Sequence, residues 1–232
     1  MDVYQIAEIP SNNVVTNKDV ERLTQNRWLN DTCMNAITHL ISLDFPRVKT
    51  DSSPCYHVMD TAFFTLLTGI DGEKAYDHHA IKGFTQNTKM AYAPFDCQKI
   101  FVPLNIDNMH WALLIVELFP PDRVNLYTYD SLNVVRNVHE NITQWVHDEV
   151  RARPQWDAEE LQIQSIVMHV SQRQTNSYDC GMYVCAAIQD IAAQRAPESS
   201  PDDIRKLRRK FASDIEKYRG DEIYRLMKHL QW

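Results

Sequence analysis

Three neighbouring segments in the middle of the chain constrain its fold more than any other feature. Residues 99–104, 111–119 and 123–130 are short, rich in β-branched and aromatic side chains, and separated by Asn, Asp and Pro. Such runs predict neighbouring strands joined by turns. Segments with the apolar spacing of helices lie before and after them. The sequence therefore predicts an α+β fold in which helices flank a small mixed or antiparallel sheet.

The flanking segments carry recognisable helix boundaries. Asn30 is suited to cap a helix that ends near Asp44, ahead of Pro46. Apolar spacing predicts further helices over 60–67, 135–150 and 180–193, two more within 201–230, and a strand over 161–170.

Nothing in the sequence divides the chain into separate domains. The 232 residues contain neither an internal repeat nor a linker-like stretch, and the length suits one domain. We therefore expect a single domain over residues 1–232, acting as a monomer.

The charge balance limits the class of partner. The chain has 24 Lys and Arg against 31 Asp and Glu, a net charge of −7, and residues 201–232 carry +3 of it, so the remainder carries −10. Phosphate binding needs a positive field, so nucleic acid is not expected as a partner. Only 5 glycines occur, and no phosphate-binding glycine loop is present, which argues against nucleotide chemistry. A protein or small-molecule partner is favoured.

Cysteine and histidine usage indicates a reducing compartment and no cofactor. Five cysteines are an odd number, and the chain is long enough to build a core without disulfides. Cys55 with His57, and His78 with His79, lack the spacing of a zinc site. No signal peptide or membrane-spanning run is recognisable. These features predict an intracellular protein of the cytoplasm or nucleus that needs no metal and contacts no membrane.

Cys180 is the strongest candidate nucleophile. It follows a polar loop, 171–177, and begins a predicted helix. The positive end of a helix favours the thiolate, which is the attacking species. A single cysteine is more often a small buried apolar residue, so the hypothesis depends on suitable partners.

His110, Asp130 and Gln174 are the candidate partners. His110 lies at the start of one predicted strand and Asp130 at the end of the next, and antiparallel pairing would bring them together. An imidazole can accept the thiol proton while a carboxylate orients it. Gln174, in the polar loop, could donate to an oxyanion beside the Cys180 N–H. Without further support, a His and an Asp at strand ends more often face solvent, and a Gln in a polar loop is usually only solvated.

These residues lie within longer strings that resemble a known family. VPLNIDNMHWAL at 102–113, YDSL at 129–132 and QTNSYDCGMYVC at 174–185 are similar to the signature blocks of the ubiquitin-like-protein proteases, the sentrin or SUMO-specific cysteine proteases of clan CE. RWLNDT at 27–32 resembles the N-terminal block of that family. The blocks occur in family order over about 160 residues.

The resemblance implies a fold, an activity and a set of site residues. The fold would be a single catalytic domain of the SUMO-protease type. His110, Asp130 and Cys180 would form the catalytic triad, with Gln174 as the oxyanion donor. The rings of Trp28 and Trp111 would enclose the Gly-Gly tail of a ubiquitin-like modifier, and Asp31 would pair with an arginine of that modifier. The enzyme would remove the modifier, SUMO first, from lysines or process its precursor.

Several alternatives stay open at this level. Residues 176–184 look slightly closer to the deneddylating branch, and 72–88 could be an insertion on the modifier-binding face. A deubiquitinase or deneddylase, an acetyltransferase related to the clan, and a module that binds a modifier without cutting it remain alternatives. The basic run 205–210 resembles a nuclear localisation signal, but we favour the solvated face of a helix.

Overall fold

The computed structural model describes residues 15–45, 55–68, 76–85, 93–135 and 138–229, with side chains described as far as residue 217. The chain divides into two compact units. Residues 44–171 form the sheet unit, while residues 1–43 and 172–232 form the helical unit.

The sheet unit is built on one five-stranded mixed sheet whose strands follow chain order. The two outer pairs are parallel and the central three strands are antiparallel. The strands are β1 Tyr56–Val58, β2 Lys99–Ile106, β3 His110–Phe119, β4 Arg123–Tyr129 and β5 Gln162–Val167. The predicted α+β fold and its central antiparallel strands are confirmed; β1 was not foreseen.

Helices cover the sheet and close its core. They are α3 Ala62–Thr68, α4 His78–Thr85 and α5 His139–Arg151, with a short 3₁₀ turn at Pro94–Asp96. Trp145 of α5 is fully buried, and its ring lies 4.9 Å from that of Phe63 and 5.2 Å from that of Phe95. Edge-to-face aromatic contacts of this kind hold a helix at a fixed position on a sheet. The possible insertion at 72–88 is described only over 76–85, which includes α4, and its remainder lies outside the described residues.

A tight turn joins β2 to β3 and fixes where β3 begins. Asp107 and Asn108 have φ of 51° and 53°, and the Met109 N–H donates to the Ile106 carbonyl at 3.0 Å. Asp and Asn tolerate this left-handed backbone better than most residues. β3 itself is central, and every residue of its apolar stretch Trp111–Val116 is buried. The turn thus places His110 at the start of a rigid strand.

The helical unit contains α1 Asn17–Thr24, α2 Asp31–Ser42, α6 Cys180–Ala192 and α7 Pro201–His229. Helix α6 is buried along its first nine residues, as its nearly unbroken apolar sequence requires. The prediction of two helices within 201–230 was wrong, because the backbone continues as one helix, α7. No proline follows Pro201 to interrupt it.

Candidate functional site

A histidine and a carboxylate meet at one end of the sheet. His110 is the first residue of β3, and Asp130 follows the last residue of β4. Antiparallel pairing of these strands brings the His110 Nε2 to 2.7 Å from the Asp130 Oδ1. Both side chains are buried. The sheet therefore forms a hydrogen-bonded His–Asp pair in a position shielded from water.

The loop after β4 wraps its backbone around the Asp130 carboxylate. The N–H groups of Leu132, Val134 and Val135 donate to it at 2.9, 2.6 and 2.8 Å. Burial alone would raise the pKa of Asp130, but the hydrogen bonds from His110 and from the backbone outweigh it and hold that pKa below its ordinary value. The carboxylate stays ionised at neutral pH. It accepts from Nε2, so Nδ1 is the nitrogen of neutral His110 that can take up a proton.

The loop before α6 forms a second, separate cluster. The Asn176 Oδ1 accepts from the N–H groups of Tyr178 and Asp179 at 3.1 and 3.0 Å, and its Nδ2 donates to the Asp179 carboxylate at 2.7 Å. Gln174 donates from Nε2 to the Asn176 carbonyl at 2.5 Å. Cys180 is the first residue of α6 and is 1% exposed. The loop thus fixes a thiol at the positive end of a buried helix.

The two other cysteines of the helical unit are poor nucleophiles. Burial raises the pKa of the Cys33 thiol to about 12 and also raises the pKa of the Cys185 thiol. The Cys185 Sγ lies against the Met34 Sδ at 3.9 Å, within the packing of α6 on α2. Cys185 is therefore a core residue.

The two cysteines of the sheet unit form a pair. Cys55 and Cys97 are buried thiols whose sulfur atoms lie 2.8 Å apart, next to β1 and β2. The contact is an S–H···S hydrogen bond in which either thiol can be the donor, and it holds both thiols within the packing of the sheet unit.

The remaining candidate residues lie on the start of α2 and on β3. Asn30 caps α2 by accepting from the Cys33 N–H at 3.1 Å, and Asp31 is exposed in the first turn. Trp28, just before the cap, is half-buried. Trp111 follows His110 on β3 and is fully buried. Trp28 and Asp31 thus share the helical unit with Cys180 and Gln174, while Trp111 shares the sheet unit with His110 and Asp130.

Comparison with known proteins identifies the family. The sequence model of the Ulp1 protease family, C-terminal catalytic domain, matches residues 27–223. The chain belongs to the Ulp1 protease family. This confirms the resemblance drawn from the four sequence blocks.

Relatives and a solved structure of the Ulp1 family agree with this assignment. A putative ubiquitin-like-specific protease 1B of Arabidopsis thaliana is 29% identical over 217 residues, covering 91% of this chain and 60% of the relative. Human sentrin-specific protease 2 is 25% identical over 205 residues, covering 87% of this chain and 32% of the relative. The C-terminal Ulp1 protease domain solved with Smt3, the yeast ortholog of SUMO, superposes with a TM-score of 0.67 at 24% identity, covering 87% of this chain and 82% of that one. The chain thus spans about a third to three-fifths of these two relatives and has the fold of an Ulp1 catalytic domain.

Sequence reasoning missed one residue of the helical unit, Arg208. It lies in the basic run 205–210, which we expected to face solvent, yet it is 1% exposed and pairs with Asp179. Its neighbours in the run, Arg205, Lys206, Arg209 and Lys210, are exposed as expected. A signal was available, because Arg208 replaces an apolar residue in the buried stripe Ile204, Arg208, Phe211, Ala212 and Ile215.

Two further features bear on what this Ulp1-family chain could bind. Within the described residues, no cluster of three or more His, Cys, Asp or Glu side chains is arranged to hold a metal ion. The helices of the described part are also too short or too polar to cross a membrane.

Proposed function

We propose that this chain is a cysteine protease that cleaves after the C-terminal Gly-Gly of a ubiquitin-like modifier, SUMO first. The carrying observation is the buried His110–Asp130 hydrogen bond, with three backbone N–H groups holding the carboxylate. The names of the relatives, ubiquitin-like-specific and sentrin-specific proteases, support the substrate class.

The proposed chemistry is acyl transfer through a thioester. The Cys180 thiol gives its proton to His110 Nδ1, and the thiolate attacks the carbonyl carbon of the terminal glycine. The tetrahedral oxyanion accepts from the Gln174 amide and the Cys180 N–H. The C–N bond then breaks, and His110 returns the proton to the leaving amine. Water, deprotonated by His110, hydrolyses the thioester and restores the thiol.

Asp130 supports both halves of this cycle. Its ionised carboxylate fixes the His110 ring with Nδ1 as the proton acceptor and stabilises the imidazolium that forms. The low pKa of Asp130 ensures that it does not take the proton itself. This role needs a carboxylate that stays ionised and fixed in place, and the surrounding N–H groups stabilise it in that state.

Trp28, Trp111 and Asp31 are proposed to bind the modifier. A Gly-Gly tail offers no side chains, so flat aromatic rings select it by excluding larger residues. The exposed Asp31 carboxylate is proposed to pair with an arginine of the modifier. We propose a monomeric intracellular enzyme, of cytoplasm or nucleus, that uses no cofactor and whose partners are the modifier and its conjugates.

A three-substrate panel tests this function. SUMO, ubiquitin and a Nedd-type modifier, each with a C-terminal fluorophore, are incubated with the wild-type chain. We expect fluorophore release, fastest from SUMO, and none from Cys180→Ala, which should still bind the modifier. Faster release from ubiquitin or the Nedd-type modifier would reassign the enzyme within the family.

The same preparation separates the other classes of function. Acetyl transfer from acetyl-CoA without tail cleavage would identify an acetyltransferase. A tight wild-type complex with intact substrate would identify a binding module. Either result, or no release from any of the three modifiers, would overturn the proposal.

A further inference from the structure

Arg208 forms a buried junction in the helical unit. Its Nε donates to the Asp179 Oδ1 at 2.5 Å, and its Nη2 donates to the Tyr178 carbonyl at 2.9 Å. The guanidinium carbon lies 5.5 Å from the centre of the Tyr178 ring. These contacts all fall on the two residues that immediately precede Cys180. Arg208 therefore holds the loop of residues 174–179 that precedes Cys180, which we call the nucleophile loop.

The remaining donors of Arg208 bind a second segment. Nη1 donates to the Arg22 carbonyl at 2.9 Å, and Nη2 also donates to the Arg27 carbonyl at 3.1 Å. The Arg22 guanidinium in turn donates to the Trp28 carbonyl at 3.1 Å. This second segment, residues 22–28, leads directly into the Asn30 cap of α2. Arg208 thus joins the loop that carries the proposed nucleophile to the segment that carries Trp28.

A planar guanidinium is well suited to such a junction. It offers five N–H donors in a fixed fork, so one group can bind acceptors on several segments at defined angles. A buried ion pair rarely serves stability alone, since an apolar pair of similar volume often does as well. The number and spread of acceptors around Arg208 therefore favour a geometric role for the side chain.

We propose that Arg208 is a positioning residue that sets the nucleophile loop and the Trp28 segment relative to each other. Its described hydrogen bonds go to Asp179 and to the carbonyls of residues 22, 27 and 178, and it acts through those groups. The inference rests on the proposed function for its kinetic consequence. Loss of the junction should impair both turnover and binding of the modifier tail.

A pair of substitutions separates positioning from folding. Arg208→Met alone leaves the Asp179 carboxylate buried without its cation, and we expect a large fall in melting temperature. Asp179→Asn with Arg208→Met removes both charges and should recover most of that loss. If Arg208 positions the two segments, the double variant still shows kcat/KM at least 30-fold below wild type, because the hydrogen bonds through which Arg208 joins them are lost.

Arg208→Lys separates the contact with the nucleophile loop from the contacts with residues 22–28. An ammonium can pair with Asp179 but cannot also reach the carbonyls of Arg22 and Arg27 in the geometry of the fork. We expect kcat within about threefold of wild type and KM raised about tenfold. Arg209→Met is the matched control, because it removes the adjacent, exposed arginine of the same helix. It should leave melting temperature, kcat and KM unchanged.

Hydrogen exchange gives a readout that does not depend on activity. In the double variant at equal melting temperature, amides of residues 22–30 and 174–180 should both exchange at least tenfold faster than in wild type. Unchanged exchange in both segments, or kcat/KM within threefold of wild type in the double variant, would overturn the inference. A wild-type chain that cleaves none of the modifiers would instead overturn the proposed function, while the exchange result still decides the role of Arg208.

Discussion

The two groups of proposed active-site residues, one in each unit, are held by hydrogen bonds that span different distances along the chain. In the sheet unit, the hydrogen bonds described for the Asp130 carboxylate come from within 20 residues of it, from His110 and from the loop that follows β4. In the helical unit, Asp179 is held both by Asn176, three residues earlier, and by Arg208, 29 residues later. Arg208 also binds the carbonyl of Arg22, 186 residues before it.

This difference predicts how each half responds to change. The His–Asp pair is set by strand pairing and by its own loop, so substitutions in distant elements should leave it intact. The nucleophile loop is held by Asn176 within it and also by the distant side chain of Arg208, so a substitution outside the loop should disturb it as well.

The largest effect on activity is expected from Asp130→Asn, which replaces the carboxylate that orients His110 in the sheet unit. An amide must turn an N–H₂ group toward His110 or toward the backbone N–H groups, where only acceptors fit. The ring would lose its orientation, and kcat should fall about 10³–10⁴-fold with little change in KM.

Steady-state cleavage of a fluorogenic modifier measures the effect of Asp130→Asn. Asp157→Asn is the control, because the exposed Asp157 also accepts from two backbone N–H groups of its own loop. It should keep wild-type rates. Equal losses in the two variants would show that loop disruption, not His110 orientation, is responsible.

Gln174→Ala tests the other half at a residue proposed to meet the oxyanion. Loss of one such donor lowers kcat by about 10²–10³-fold. Gln172→Ala changes an exposed glutamine two residues away in the same loop and should have no effect. If Gln174→Ala kept more than a tenth of wild-type kcat, the oxyanion role would have to move to another donor.

Much of the sheet half could be predicted from sequence, because its determinants are local. Strand runs, a turn with Asp and Asn, and the rule that antiparallel strands align start with end were enough to pair His110 with Asp130. Strand β1 was missed because three residues carry too little pattern, and its parallel pairing depends on a distant partner.

The helical half could be predicted only in part. The loop and helix around Cys180 follow from local signals. The burial of Arg208 was missed because the charge of the run 205–210 dominated its interpretation. Its position in an apolar helical stripe was the stronger indicator. α7 was divided in two for a similar reason, since the polar composition of its sequence obscured a continuous helix.

Acid should weaken the sheet unit through His57 on β1. Burial lowers the pKa of His57 from 6.5 to about 4. As pH falls, His57 binds a proton near pH 6.5 in the unfolded chain but only near pH 4 in the folded chain. The stability that the folded chain gains from keeping His57 neutral is therefore fully present above pH 6.5 and is lost as pH falls toward 4. The free energy of unfolding should fall by at most about 2 kcal/mol between pH 7 and 5.

Denaturant unfolding at pH 7 and pH 5 measures the effect of His57, and hydrogen exchange locates it. His57→Gln should reduce the loss of stability at pH 5, and exchange should rise first in β1 and β2. His169→Gln, which changes an exposed histidine of the same unit, should leave the pH dependence as it is. An identical pH dependence in His57→Gln would assign the acid sensitivity elsewhere.

The smallest effects are expected on the exposed face of α7. Lys210 lies 2.6 Å from Asp214, and Arg205 pairs with Asp202, both as exposed pairs one helical turn apart. Lys210→Ala and Arg205→Ala should each change the free energy of unfolding by less than about 0.5 kcal/mol. Thermal melts check this, and a larger loss would mean that the whole basic run, not Arg208 alone, supports the helical half.

The hydrogen bond between Arg208 and the Arg22 carbonyl has a consequence for protein synthesis. Translation makes the acceptor 186 residues before the donor, and Cys180 is made before α7 is complete. On the ribosome, a growing chain that already holds Cys180 still lacks the guanidinium that pairs with Asp179. Given the proposed function, we expect fragments that end before α7 to lack part of the support for this loop and to cleave modifiers more slowly than the whole chain.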